Sequence, residues 1–385
     1  MNIYLDNCAT TKVRDEVLDE IINTYSKDYG NPSSLHRMGL TVEKKINIAR
    51  KSVASLINAS EKNILFTSGG TESNNLAINS HMLKINKNNN IVTTIIEHAS
   101  VYNVFRQYEK KGYDVRYLST DRNGFVDFNS LEQLVDEKTG LISIIYVNNE
   151  IGTIQKLDEI IKYVRNKNNK IKIHVDAIQA IGKIPIDVKK LNVDTMSFSS
   201  HKVHGPKGVG GLFISSRSNF EALMYGGGQE ESLRPGTENT PGIIGFGKAC
   251  ELIKNDFKEE VNKLNMLKSA YAKKLSESID DIIINTMLDS NSAPHVLSVS
   301  FKDVKAEVLV HYLENYDIYV STGAACSSKS DSISRTLEAI GLNENYINGT
   351  IRLSFGYFND INDVDFTVDK IKESVEDIRK ITRTR

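Results

Sequence analysis

The stretch IKIHVDAIQAIGKIPIDVKKLNVDTMSFSSHKVHGPKG, residues 171–208, decides how the rest of the chain is read. Ile171, Ile173 and Val175 mark a short strand-like run that delivers Asp176 at its carboxyl end, and Gln179 follows three residues later. A second run, 195–199, passes directly into Ser200, His201 and Lys202. Asp176 and Lys202 are 26 residues apart, about one strand–helix–strand step. The expectation is two strands of a parallel sheet whose carboxyl ends set an acid and an amine across one crevice, where open α/β sheets carry their ligands.

The pattern repeats outward. Runs at 64–67, 91–96, 115–118, 141–147 and 211–215 read as further strands, and helical faces separate them. Val17, Leu18, Ile21, Ile22 and Tyr25 form one such face; Val42, Ile46, Ala49, Val53 and Leu56 form another, spaced by three and four. The series predicts an α/β large domain, 13–255, with a mostly parallel seven-stranded sheet covered by helices. A long helical pattern after Pro241, through Leu252, Phe257, Leu264, Leu267 and Tyr271, leads into a smaller α+β domain of residues 1–12 and 256–385. Its strands are expected at 296–301 and 351–355, and its last helix buries Val364, Val368, Ile371, Val375 and Ile378.

The 385 residues carry 48 basic and 49 acidic side chains, a net charge of -1. No bulk positive field draws in nucleic acid, and direct binding to it is not expected. The Lys/Asn-rich patches at 84–90 and 165–170 lack interleaved aromatics and read as solvated loops. Cys8, Cys250 and Cys326 form neither a C-x-x-C pair nor an even close-spaced set, which excludes a disulfide framework or structural zinc and fits a reducing cytoplasm. The chain reaches Asp6 without a basic-then-apolar leader and has no run of apolar residues long enough for a membrane span, so a soluble, unprocessed cytoplasmic protein is expected. His36, His201 and His204 lie in polar turns without metal-ligand spacing, so no catalytic metal is expected.

Ser68-Gly69-Gly70-Thr71-Glu72-Ser73 follows the run at 64–67 and precedes an amphipathic helix expected from about Asn74. Glycines there free backbone N–H groups for an anion, aided by the helix N-terminus. The spacing matches neither a Walker loop nor a dinucleotide fingerprint, so an ordinary turn with Thr71 as helix cap stands beside a phosphate site. A phosphate loop upstream of an Asp and a Lys suits pyridoxal phosphate, which needs an amine for its Schiff base and a carboxylate to keep its ring nitrogen protonated. Glu97-His98 ends another strand, where an imidazole either stacks on a flat cofactor and moves protons or fills the crevice as a hydrogen-bonded side chain. Cys326 sits in STGAACSSKSDS, residues 321–332, which has no large apolar anchor. That segment is expected to be mobile and exposed, presenting a nucleophilic thiol. Cys250 reads as buried on a helix; Cys8 stays ambiguous.

Together these stretches resemble the cysteine desulfurases, NifS/IscS-like pyridoxal-phosphate enzymes of the class V aminotransferase group and of fold type I. YLDNCATT from Tyr4, GNPSSLH from Gly30, FTSGGTESNN from Phe66, EHASV from Glu97, VNNEIGTIQ from Val147, HVDAIQAIGK from His174, SFSSHKVHGPKG from Ser197, GGGQEESLRPGT from Gly226, STGAACSS from Ser321 and IRLSFG from Ile351 carry the resemblance in the family's order. The cysteine segment, 321–334, resembles the long-loop group I branch. The resemblance implies that Lys202 holds the cofactor, Asp176 pairs with its ring nitrogen, Gln179 meets its phenolic oxygen and His98 stacks on the ring and assists proton transfer. It implies phosphate contacts from Gly70, Thr71, Ser199 and His201, with Thr237 reaching in from a second subunit of a homodimer. Asn149 would touch both cofactor and substrate, and Arg352, with Asn31 and Arg37 nearby, would place the carboxylate of L-cysteine. Cys326 would become a persulfide and pass sulfur to an acceptor for iron–sulfur assembly, tRNA thiolation or thiamine synthesis, while the amino acid leaves as L-alanine. An aminotransferase or a cysteine/selenocysteine lyase of the same fold is the alternative reaction; a non-catalytic sulfur-carrier or interaction subunit is disfavoured, because Lys202 and Asp176 are both kept. Cys8 and Gly70 stand where the family commonly has Ala, and Ala324 where it commonly has Ser. The chain ends at Arg385, without the longer tail by which some members dock an iron–sulfur scaffold. An acceptor in tRNA thiolation or thiamine synthesis is therefore as much expected as a scaffold.

Overall fold

Seven strands form the central sheet of the computed structural model, which describes residues 2–323 and 334–383. They are β1 (Ile64–Thr67), β2 (Asn90–Thr94), β3 (Asp114–Leu118), β4 (Thr139–Ile145), β5 (Lys172–Asp176), β6 (Thr195–Ser199) and β7 (Gly210–Ile214). Their order is β1-β7-β6-β5-β4-β2-β3, and β7 alone runs against the others. Helices cover the sheet, among them α1 (Asp15–Lys27), α2 (Arg37–Ser55), α3 (Gly70–Met82) and α4 (Ala99–Lys110). The α/β architecture and the mostly parallel seven-stranded sheet are as the sequence pattern predicts. Strand limits differ by one or two residues.

Polar alternation in β6 does not mark a wet face. Met196 and Phe198 enter the main apolar core. Thr195, Ser197 and Ser199 are buried on the opposite face, where Thr195 and Ser197 bond to side chains from α3 and β5. A fully buried aliphatic such as Ile144 or Val175 contributes about 1.5–3 kcal/mol by leaving water. The close approach of β7 to β6 needs glycine, since a Cβ on Gly211 would lie 2.2 Å from the Phe198 ring.

Two expectations are corrected. α3 begins at Gly70, not near Asn74; its cap is Gly69, and Thr71 is the second helical residue. It is also buried nearly all round, with Ser73, Asn74, Ser80 and His81 inside alongside Leu76 and Ile78. The patches at 84–90 and 165–170 are not simply solvated. Asn90 is buried and donates to Asp136 (2.8 Å), while Arg165 is helical and ties to Ile171 O (2.7 Å), Asn192 O (2.8 Å) and Asp194 (2.7 Å).

A second sheet is antiparallel, in the order β10-β11-β9-β8, from β8 (Ile282–Ile284), β9 (Val296–Phe301), β10 (Ser321–Thr322) and β11 (Thr350–Ser354). α6 (Asp363–Arg383) and the end of α5 (Thr240–Ser278) pack a second core against it. α5 serves both cores: Ile243, Phe246, Cys250 and Ile253 enter the first, and Leu264, Leu267, Tyr271 and Leu275 the second. The N-terminal segment also links the sheets. Leu5 bonds to Tyr319 and Ser354, and Thr11 N donates to His201 O at 2.9 Å. No helix among the described residues is long and apolar enough to cross a membrane.

Candidate active site

The carboxyl ends of β2, β4, β5 and β6 open on one cavity of about 220 Å³. Gly70, Thr71, His98, Ser100, Ile145, Asn149, Asp176, Ile178, Gln179, Ser199, His201 and Lys202 line it. Eight expected contacts from five separate motifs, together with Lys202, thus line one cavity. Lys202 Nζ donates to the carbonyls of Cys8 and Ala9, the latter at 2.8 Å, so the N-terminal segment fixes where the amine stands.

Asp176 is the last residue of β5 and is buried. Its Oδ2 accepts from Asn74 Nδ2 (2.8 Å) and its Oδ1 from Ile178 N (3.0 Å). Burial raises its pKa, opposed by His98, these two donors and Lys202, and a cation against the carboxylate would favour the charged form further. Asn74 is a hub that sequence reasoning missed. Its Nδ2 also reaches Ser100 Oγ (2.8 Å), and its Oδ1 faces His174 Nε2 (3.0 Å) and Ser197 Oγ. His174 then meets Thr195 Oγ1 at 2.9 Å, which is 3.1 Å from His81 Nε2. Burial holds both histidines neutral, with pKa values near 3 and 4.

His98 caps α4, its Nδ1 accepting from Ser100 N (3.1 Å) and lying 2.8 Å from Ser100 Oγ. A ring nitrogen that accepts a backbone N–H carries no proton of its own, so the ring proton sits on Nε2. Neighbouring Glu97 is buried; its Oε1 accepts from Thr94 Oγ1 (2.9 Å) and Ile145 N (2.7 Å), and burial beside Asp176 pushes it well above the usual carboxylate range.

At the other end, Gly70 and Thr71 open α3, whose first amides have no intrahelical acceptor. Ser199 Oγ is buried and has no partner among the described residues, and a Cβ on Gly70 would fall 2.3 Å from Ile178 Cδ1. His201 Nδ1 lies 3.2 Å from Thr10 Oγ1, and burial lowers its pKa to about 4, leaving a neutral ring. An unpaired hydroxyl, a cradle open only for want of a side chain and a helix N-terminus together suit a phosphate. The phosphate end, the buried carboxylate, the amide of Gln179 and the lysine fit pyridoxal phosphate.

The remaining expected residues are placed differently. Asn149 lines the cavity, but Arg352 does not; it donates to Asn149 O (2.8 Å) and pairs with Asp6 (3.0 Å). Its Nε is buried and has no partner among the described residues. Asn31, Arg37 and Thr237 are exposed and outside the cavity wall. Thr237 follows a loop whose Glu230 and Glu231 have left-handed backbone. Ion pairs clamp this loop: Arg50 grips buried Glu230 with two bonds (2.7 and 2.8 Å), Arg217 meets Glu231 (3.1 Å), and Arg234 holds Glu72 of α3 (2.8 Å). Cys326 and Ala324 lie outside the described residues. Of their flanks, Ser321 pairs with Arg352 across β10–β11, and Ser334 bonds to half-buried Glu150, next to Asn149. Cys8 is buried, with its N–H on Ser354 Oγ (2.8 Å), and Cys250 is buried in the first core.

Comparison with known proteins places these features in a family. The class-V aminotransferase model matches residues 3–366. The chain is 38% identical over 382 residues to the cysteine desulfurase IscS of Clostridium botulinum, covering 99% of this chain and 96% of that one. It is 40% identical over 384 residues to the IscS of Methanosarcina thermophila, covering 99% and 93%. Among solved structures, a NifS-like protein superposes with a TM-score of 0.91 at 40% identity, covering 98% of this chain and 100% of the other. The apo cysteine desulfurase of Thermococcus onnurineus NA1 superposes with a TM-score of 0.88 at 25% identity, covering 98% and 95%.

Proposed function

Because the chain belongs to the class-V aminotransferases, and within them to the cysteine desulfurases, we propose that Lys202, Asp176, Gln179 and His98 operate the cofactor and that Cys326 takes the sulfur. The enzyme removes sulfur from L-cysteine with pyridoxal phosphate as cofactor. The observation that carries the assignment of residues is their convergence on one cavity with a phosphate-type cradle at one end.

When bound, pyridoxal phosphate supplies an electron sink for the charge that develops at the substrate α-carbon. Lys202 would anchor it through Nζ, and the same amine would take the substrate α-proton. Asp176 would pair with the ring nitrogen and keep it protonated, its carboxylate oriented by Asn74 Nδ2 and Ile178 N. Gly70, Thr71, Ser199 and His201 hold the phosphate; Gln179 donates to the phenolic oxygen. His98, with its proton on Nε2, covers the ring and passes protons at that nitrogen. Asn149 and Arg352 receive the substrate carboxylate, Arg352 keeping Asp6 as its counter-ion. Cys326, as thiolate, attacks the substrate sulfur: the new S–S bond forms as the substrate C–S bond breaks, and the carbon skeleton is protonated to L-alanine. Both flanks of the cysteine segment adjoin Arg352 and Asn149, which supports this assignment.

Thr237, Asn31 and Arg37 act across a homodimer interface. Their exposure in one subunit, beside exposed Tyr29, Leu35 and Tyr225, supports this. Sulfur passes from Cys326 to an acceptor protein in iron–sulfur assembly, tRNA thiolation or thiamine synthesis, in the cytoplasm.

The test is to incubate the loaded protein with L-cysteine and a thiol reductant. Equal sulfide and alanine are expected, and the Cys326→Ser variant should keep the cofactor colour yet release no sulfide. Pyruvate in place of alanine, or full sulfide release by the variant, would overturn the reading.

A further inference from the structure

His295, which no motif in the sequence singles out, stands 116 positions from Gln179 in the chain and touches it in the fold. Gln179 Nε2 donates to Cys8 O at 3.0 Å. A carbonyl only accepts, so this contact fixes which end of the Gln179 amide is nitrogen. Oε1 is therefore the end that faces His295 Nε2, at 3.2 Å. An amide oxygen also only accepts, so His295 must carry its proton on Nε2, and Nδ1 is bare. Consistently, Nδ1 is buried and has no partner. Cys8 O receives Lys202 Nζ as its second donor. One chain of hydrogen bonds thus runs from His295 through Gln179 and the Cys8 carbonyl to the amine of Lys202.

We infer that His295 is a positioning residue of the cofactor site: its Nε2–H holds the Gln179 amide in the one orientation that leaves an N–H, rather than a carbonyl oxygen, facing the cavity. Gln179 lines that cavity with one amide hydrogen still to give. Turned over, the amide would set its one oxygen where Nε2 now stands, against both Cys8 O and the phenolic oxygen of the cofactor. His295 suits the task because it is fully buried and stays neutral, its pKa driven well below the usual value by burial and by the cations Lys183, Lys268, Arg352 and Lys202. A neutral ring carries one N–H on either nitrogen, and the Gln179 oxygen selects the Nε2 tautomer. The inference rests on the proposed contact between Gln179 and the phenolic oxygen.

A donor on that oxygen favours the more negative, deprotonated form of the chromophore, so losing it raises the pH midpoint of the visible absorption. In the loaded protein, His295→Leu should raise the midpoint by about one pH unit, Gln179→Leu should raise it at least as far, and His295→Gln, which restores an N–H at similar reach, should bring it back. A midpoint moved by Gln179→Leu but not by His295→Leu overturns the role of His295, as does a shift that His295→Gln fails to reverse. If Gln179→Leu itself moves nothing, the contact with the phenolic oxygen is at fault and the inference falls with it. A second readout needs neither cofactor nor variant: ¹⁵N spectra of selectively labelled wild-type apoprotein should show pyrrole-type Nε2 and pyridine-type Nδ1 for His295. The opposite tautomer overturns the proposal even where His295→Leu does not fold.

Discussion

Lys202 and Gly70 show how much of the site depends on single atoms. Lys202→Ala should abolish the visible absorption of the loaded protein and lower sulfide release by more than about 100-fold; a variant that stays coloured and active would remove Lys202 from its role. Gly70 faces the tip of Ile178, 2.3 Å from where a Cβ would stand. Gly70→Ala should push Ile178 into the cavity and weaken cofactor binding about tenfold, a typical overpacking cost. Ile178→Ala in the same chain should restore the affinity. The check is the dissociation constant of pyridoxal phosphate for the four members of the cycle; additive effects would show that the two side chains do not compete for the same space.

Elements carry the next set of consequences. α3, β5 and β6 are joined by neutral, buried His81 and His174 around Thr195 and Asn74. Unfolding returns each imidazole to a pKa near 6.5, against about 4 and 3 when folded. Between those values the unfolded chain binds more protons, so stability falls as the pH drops below about 6.5, by about 1.4 kcal/mol per pH unit for each group. Urea unfolding of His174→Gln from pH 6.5 to 4 should show a slope shallower by about that amount; an unchanged slope would exclude His174 as the source. The loop ending at Thr237 depends on another pair of elements. Arg50→Ala leaves buried Glu230 unpaired and should cost about 3 kcal/mol in the same assay. Most elements were legible from the sequence, because strands such as β5 and β6 end on residues whose chemistry differs from the run before them. The start of α3 was not. Its first turn is glycine-rich and polar, so residues 70–73 look like a loop until β7 supplies the partner of Ser73 and β6 that of Asn74. Of the site, Lys202, Asp176, Gln179 and His98 announce themselves by position after strands. Asn74 and His295 do not, since each acts only through a residue distant in sequence, and Arg352 was legible as a cation but not as one already paired with Asp6.

On the scale of the whole molecule, one subunit leaves Asn31, Arg37 and Thr237 away from its own cavity and exposes Leu35 and Tyr225 by 94% and 92%. Such apolar side chains on one chain are covered most simply by a second copy. Sedimentation should give twice 43.1 kDa, and Leu35→Asp with Tyr225→Asp should give monomers that bind the cofactor more weakly. A wild-type monomer with full activity would sink the dimer. α5 imposes a different constraint. Its 39 residues make one continuous rod with the first core wrapped on one end and the second on the other. Each residue added between Ile253 and Leu264 would turn everything beyond it by about 100° and advance it by about 1.5 Å. The length of that stretch, with Phe257 packed on the first core and Asp256 and Glu260 paired with Arg14, is thus a phase setting between Lys202 on one side and Arg352 on the other. A single-codon insertion or deletion there would swing the two halves of the proposed site out of alignment.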